Sequence, residues 1–268
     1  MSIDEIHESN LQFHEAWRFF ARSSVAGEVL DLPEVSIASS NVSWSMMNAA
    51  FLPGPVSTEE ALVGAATAAA RYFTPRGRGW MLALCEDRVS PGLLERAGRL
   101  LEPQGLKPSL VATGMVAERL APCLKPLPKV DIRLTKDSEG RSALADVNSR
   151  CYDMPVALGR EAFDVPALFQ GDSKGFVGYS QNEAASGAAV LRNRDVAYIS
   201  MVATLPAYRG LGCAEAVMRH ALLDAWREWG IERTVLHATP AGLRIYRRMG
   251  YRPVTRFHFF MATPPSDM

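Results

Sequence analysis

The run from Ala214 to Trp229 admits one local structure. Its apolar residues fall at Ala214, Val217, Met218, Ala221, Leu222, Ala225, Trp226 and Trp229, spaced three and four apart. That spacing is one continuous face of an α-helix. Glu215, Arg219, Asp224, Arg227 and Glu228 lie off the face, and Gly230 ends the helix. Just upstream stands Arg209-Gly210-Leu211-Gly212-Cys213, and before that a strand-like run, "DVAYISMVAT". Strand, glycine loop and long helix in succession make this part of the chain α/β.

A helix N-terminus carries unpaired N–H groups and about half a positive charge. Glycines clear away side chains that would keep a ligand from those donors, and a phosphate is the natural occupant. Two nucleotide fingerprints fail here. Gly210 and Gly212 begin a G-x-G-x-x-G, but its third position is Glu215, and no G-K-[S/T] follows.

The rest of the chain divides around "APCLKPLPKV", residues 121–130, whose three prolines block helix and central strand alike. The division expected is 1–128 and 129–268. The chain's 268 residues suit two domains, and 48% hydrophobic residues can build a core in each. The first half reads as a helix with Ile6, Phe13, Trp17 and Phe20 on one face. Strands follow in "EVSIAS" and "NVSWSMMNAAF". A helix after "FLPGPVSTEE" has Ser57 and Glu60 at capping-box spacing. "WMLALC" is a buried strand, Ser90-Pro91 starts a helix, and "SLVATGMVAERL" closes as a strand. The second half repeats the order. "VDIRLT" is a strand, "SEGRSALADVNSRCY" a helix and "REAFDVPALFQ" an interrupted helix. "GFVGYSQ", "SGAAVLRN" and "DVAYISMVAT" are three strands. After the long helix come "ERTVLHAT", "AGLRIYRRMG" and "YRPVTRFHFFM" as strand, helix and strand. The expected fold class is α/β (α+β): two mixed-sheet domains with helices on both faces.

Lys plus Arg and Asp plus Glu each number 29, so no global basic field points to nucleic acid or a membrane surface. Cys85, Cys123, Cys151 and Cys213 are scattered, which argues against a disulfide framework or a zinc site. The opening "MSIDEIHESN" lacks the features of a signal peptide, and "ALVGAATAAA" is too short to span a bilayer. A cytoplasmic protein is expected, with no metal, nucleic-acid or membrane partner.

The segment Arg209-Gly210-Leu211-Gly212-Cys213-Ala214 reads R-x-x-G-x-A, and here the chain resembles the GNAT superfamily, the GCN5-related N-acetyltransferases. "VATLPAYRGLG" looks like the family's strand, proline turn and loop, and "RIYRRMGY" like its tyrosine-bearing helix. The resemblance implies acetyl-CoA as co-substrate and a small-molecule or peptide amine as acceptor. Residues 209–214 would wrap the pyrophosphate. The backbone of Val202, Ala203 and Thr204, on a bulged strand that splays from its neighbour, would bind pantetheine and polarise the thioester. Tyr246 matches the tyrosine that protonates the leaving thiolate; a phenol is protonated at neutral pH. The base stays open among His237, Tyr198, Ser200, Asp153, Glu183 and a water chain; Glu183 falls in an "NEA" hairpin turn. Many family members carry asparagine seven residues before the tyrosine, where this chain has Thr239. The first half resembles a worn copy of the domain. Its loop counterpart, "FLPGPVST", lacks the motif, and Pro53 and Pro55 have no N–H to offer a phosphate. The competing reading is an acyl-CoA-binding module without catalysis. Acceptor identity and oligomeric state are not legible in the sequence.

Overall fold

A computed structural model describes residues 4–263. The chain forms two compact units, each interrupted in sequence. The first holds the described residues up to Gly114, Ala238–Pro240, and those from Val254 on; the second holds Met115–His237 and Ala241–Pro253. The division therefore differs from 128/129 at both ends. The proline segment belongs to the second unit, and most of the last strand belongs to the first.

The first unit opens with helix α1 (Glu5–Ser23), capped by the Asp4 carboxylate, which accepts from the His7 amide. Strands β1 (Glu28–Asp31), β2 (Ser36–Ser39) and β3 (Asn48–Phe51) form an antiparallel meander. The Ser45–Met47 part of the expected second strand is a 3-10 turn, and the largely exposed, charged β1 has no strand pattern in the sequence. Helix α2 (Glu59–Phe73) is capped by Thr58, whose hydroxyl accepts from the Ala61 amide, and not by Ser57. Strand β4 (Trp80–Cys85) is wholly buried and runs parallel to β3. Helix α3 (Pro91–Leu101) leads to β5 (Lys107–Ala117), which starts in the first unit and ends in the second.

The alternation of β4 explains why all six residues are apolar. Trp80, Leu82 and Leu84 join the core under α2 and α3, with Leu62, Phe73 and Leu93. Met81, Ala83 and Cys85 point the other way, into the core under α1 with Phe13, Phe51 and Phe257.

The second unit continues with β6 (Asp131–Leu134), α4 (Ser138–Cys151) and α5 (Val156–Phe163); a 3-10 turn at Pro166–Phe169 supplies the expected interruption. Strands β7 (Ser173–Ser180), β8 (Glu183–Asn193) and β9 (Val196–Thr204) are antiparallel, with β6 beside β7. Gln181 and Asn182, both at positive φ, turn β7 into β8. Helix α6 (Cys213–Trp229) leads to β10 (Thr234–Ala238), parallel to β9. Helix α7 (Leu243–Arg248) precedes β11 (Arg252–Ala262), whose residues from Phe257 on pair antiparallel with β4. A side chain at Gly187 would meet Leu144 of α4, and one at Gly178 would meet Val217 of α6, so helices cover both faces of these strands.

The meander, parallel fourth strand and intervening helix of β1–β4 recur in β7–β10. The chain is thus a repeated mixed α/β structure, as its element order implies.

Candidate active site

Every residue of the expected site lies in the second unit. Strands β9 and β10 pair only over Ala197–Ile199 and Thr234–Leu236, while β9 runs on to Thr204. A fork opens there. At the same point β9 bulges: Ser200 pairs with Ala189 and Ala203 with Gly187, so Met201 and Val202 share the place opposite Ala188. Met201 takes φ +53°, a left-handed conformation that a side chain adopts only when its surroundings hold it.

The bulge decides which backbone groups face the fork. The Ala197 amide bonds the Arg233 carbonyl, on the β10 side, whereas the Leu205 amide bonds the Ala185 carbonyl, on the β8 side. Alternation then turns Ala203 toward β8 and turns Val202 and Thr204 toward the edge that β10 has left. The Ala203 carbonyl accepts from Ser186 Oγ at 2.9 Å, and the Thr204 carbonyl from Arg209 Nε at 3.1 Å. By this alternation Val202 and Thr204 lie on the edge side and Ala203 on the β8 side, with the Thr204 carbonyl already bonded to Arg209.

The loop that follows is a 3-10 turn, Pro206–Tyr208, then Arg209 to Gly212. Gly210 and Gly212 have φ of +78° and +90°. Gly212 is the N-cap of α6, and the Ala216 amide bonds its carbonyl at 3.0 Å. The amides of Cys213, Ala214 and Glu215 therefore precede the first intrahelical bond and are donors at the positive end of a 17-residue helix. Leu211 is 59% exposed at the loop tip. Cys213 is buried, and burial raises its thiol above the ordinary range, so it sits there as a neutral thiol.

Two features of this helix depart from its sequence pattern. Trp226, on the apolar face, is 49% exposed, and Glu215, off that face, is buried. Burial alone would raise the Glu215 carboxyl. Hydrogen bonds from Arg248 and Arg219 outweigh it and hold the carboxyl below its ordinary value. Arg248 Nη2 donates to Oε2 at 2.8 Å and Arg219 Nε to Oε1 at 3.0 Å. The proline segment is part of this network. The Ala121 carbonyl accepts from Arg219 Nη1 at 2.8 Å, its amide donates to the Met249 carbonyl at 2.9 Å, and the Cys123 thiol, which donates to the Lys125 carbonyl at 2.9 Å, lies 3.6 Å from Glu215 Oε1. Pro128 lies against Gly212, where a side chain would press on its ring. What reads as a linker is a strap across the start of α6 and the end of α7.

Tyr246 on α7 is 8% exposed, its ring edge-on to Tyr251 and packed on Gly242. Burial, then the phenols of Tyr152 and Tyr251, push its hydroxyl well above the ordinary phenol range. The Tyr246 hydroxyl has no hydrogen-bond partner among the described residues and carries its proton at neutral pH.

The candidate bases are dispersed. Tyr198 Oη lies 3.0 Å from His237 Nδ1, and Tyr198 is 2% exposed. The direction of that hydrogen bond follows the tautomer of the imidazole. Ser200 lies on β9 at the fork, and Asp153 is exposed between α4 and α5 at φ +52°. Glu183 opens β8 and accepts from Tyr208 Oη at 2.6 Å, tying the β7–β8 hairpin to the loop.

Sequence reading missed Asn148, which is 3% exposed on α4. Its side-chain amide donates to the Met201 carbonyl at 3.1 Å. The available signal was a polar residue four places after Leu144, on a face otherwise apolar.

Among the described residues the first unit has no matching fork. After β3 the chain returns to pair again: the Val56 amide bonds the Arg88 carbonyl at 2.8 Å and the Ser90 amide bonds the Val56 carbonyl at 3.1 Å. Among the described residues no helix is long and apolar enough to cross a membrane, and no three His, Cys, Asp or Glu side chains gather as a metal site.

Residues 171–253 match the family model described as "Acetyltransferase (GNAT) domain". No curated protein matches the sequence. Among solved structures, a GCN5-related N-acetyltransferase from Kribbella flavida aligns with TM-score 0.69 and 17% identity, over 97% of this chain and 96% of that one. A functionally unknown conserved protein from Staphylococcus epidermidis aligns with TM-score 0.65 and 12% identity, over 91% and 97%. A tandem GNAT protein from the clavulanic acid biosynthesis pathway aligns with TM-score 0.50 and 14% identity, over 87% and 79%. At these identities the likeness is one of fold.

Proposed function

Taking as premise that the chain belongs to the GNAT superfamily through the domain at residues 171–253, we propose that it moves an acetyl group from acetyl-CoA to an amine. The observation that carries the reading is the joining of three features on consecutive residues. An open fork on β9 runs into a glycine loop, and the loop ends at the free N-terminus of α6.

The roles follow from chemistry. The amides from Gly210 to Ala214, with Arg209 beside them, suit a pyrophosphate. The exposed edge at Val202 and Thr204 suits the amides of pantetheine, taken up as an added strand, with Ala203 anchoring the bulge to β8. In the transfer, the C–N bond forms at the thioester carbon and the C–S bond breaks. Tyr246 Oη gives its proton to the departing sulfur, and the amine's proton goes to solvent.

The acceptor is a small-molecule or peptide amine. The first half is structural, because its fork is closed by the Val56–Val89 bridge and its loop carries Pro53 and Pro55. The test is a CoA-release assay with acetyl-CoA across amines, amino acids, peptides and aminoglycosides. Acceptor-dependent release supports the reading. Release no faster than without acceptor throughout the panel, from protein that binds acetyl-CoA, contradicts it.

A further inference from the structure

The bulge in β9 needs something to hold it. A strand continued without it would turn Met201 and Ala203 toward the fork and Val202 and Thr204 toward β8. One extra residue opposite Ala188 reverses that choice. Its cost is a methionine at φ +53° with its carbonyl turned away from the regular ladder. The only side-chain donor to that carbonyl among the described residues is Asn148 Nδ2, at 3.1 Å, reaching from α4. The group facing it must be the NH2 of the side chain, because a carbonyl oxygen only accepts. Asn148 is 3% exposed, and the neighbouring face of α4 packs through Val147 on Ala203 and Leu205. The helix is therefore fixed to the segment that it steadies.

We infer that Asn148 is a positioning residue for acyl transfer: it holds the Met201 carbonyl, and so sets which β9 backbone groups face the thioester. The inference rests on the acetyl-CoA reading above. Asn148 touches no reacting atom; it acts through the strand. Two neighbouring carbonyls are also held by side chains, Ala203 by Ser186 of β8 and Thr204 by Arg209 of the loop. Asn148 differs in acting at the left-handed residue, where the register changes.

Two variants test this. Asn148→Leu keeps the volume and removes the donor. Asn148→Asp sets an acceptor against the carbonyl at pH 8 but regains a donor once its buried carboxyl is protonated. Amide hydrogen exchange on the free full-length protein reads the bulge without reference to activity. Peptides covering residues 199–205 should exchange about tenfold faster in Asn148→Leu, with those from α6 unchanged. Acetyl-CoA affinity should fall about tenfold in both variants at pH 8. For Asn148→Asp, the deficit relative to wild type should shrink several-fold at pH 5.5, and for Asn148→Leu it should not. That pH signature separates donation from packing. Exchange and affinity within twofold of wild type in both variants overturn the role of Asn148. If Asn148→Leu proves too unstable to purify, an equal deficit of Asn148→Asp at both pH values overturns it. A wild-type chain that binds no acetyl-CoA overturns the premise instead, whatever the exchange data show.

Discussion

In the proposed mechanism, Tyr246 is the residue on which the chemistry turns. Burial and two neighbouring phenols raise its hydroxyl, so the proton is retained through neutral pH and past the ordinary phenol value. Replacing it by phenylalanine keeps the ring against Tyr251 and Gly242 and removes only the proton. With a confirmed acceptor, kcat should fall by about ten- to a thousandfold, while acetyl-CoA affinity and thermal midpoint stay near wild type. Full kcat with acyl transfer rate-limiting removes Tyr246 from the mechanism. Because the raised phenol still holds its proton there, the wild-type rate should show no loss from its ionisation between pH 7 and 10. The loop is best probed at Leu211. Gly212 is unsuitable, since its φ of +90° and contact with Pro128 penalise any side chain. Leu211 is exposed, and Leu211→Glu sets a negative charge among the amides proposed to hold the pyrophosphate. Acetyl-CoA should bind at least tenfold more weakly, with folding unaffected. Titration calorimetry beside a thermal melt checks both.

At the scale of elements, the helix that carries the loop is anchored by a charge network that a hydrophobic pattern cannot display. Glu215 reads as a solvated residue, yet it is buried between Arg219 and Arg248 beneath the proline strap. Glu215→Gln leaves two guanidiniums without their carboxylate. It should lower unfolding stability by about 3 kcal/mol, the lower end for a broken buried pair because Arg248 is partly exposed. Urea denaturation at pH 7 measures this. The sign with pH follows from the lowered carboxyl. The stabilisation is complete above the unfolded pKa of about 4.3 and is lost as pH falls through the lower folded value. The stability gap between wild type and Glu215→Gln should therefore close only in acid. What was legible in the sequence follows the same line. Helices and buried strands with strong periodicity, such as α6, α3 and β4, stand where their patterns put them. Misread elements depend on tertiary partners. Strand β1 has charged ends on a paired backbone and the strap is a proline run bound by a remote arginine, whereas the shift of the cap from Ser57 to Thr58 is local. In the site, the loop and Tyr246 carry a recognisable pattern, whereas Asn148 matters through a contact 53 residues away in sequence.

For the whole molecule, the strand–helix–strand pattern is duplicated among the described residues and the fork is not. In the second unit β9 and β10 part after Ile199 and Leu236, and in the first the equivalent strands rejoin at Val56 and Val89. The central claim is that one acyl-CoA site per chain lies in the second unit, built on the β9 edge and the start of α6. Acetyl-CoA binding stoichiometry tests it most directly, by native mass spectrometry and calorimetry on the full chain, wild type beside Leu211→Glu. The account predicts one molecule per chain in wild type and at least tenfold weaker binding in the variant. Two equivalent molecules per chain, or one that binds Leu211→Glu as tightly as wild type, would contradict it.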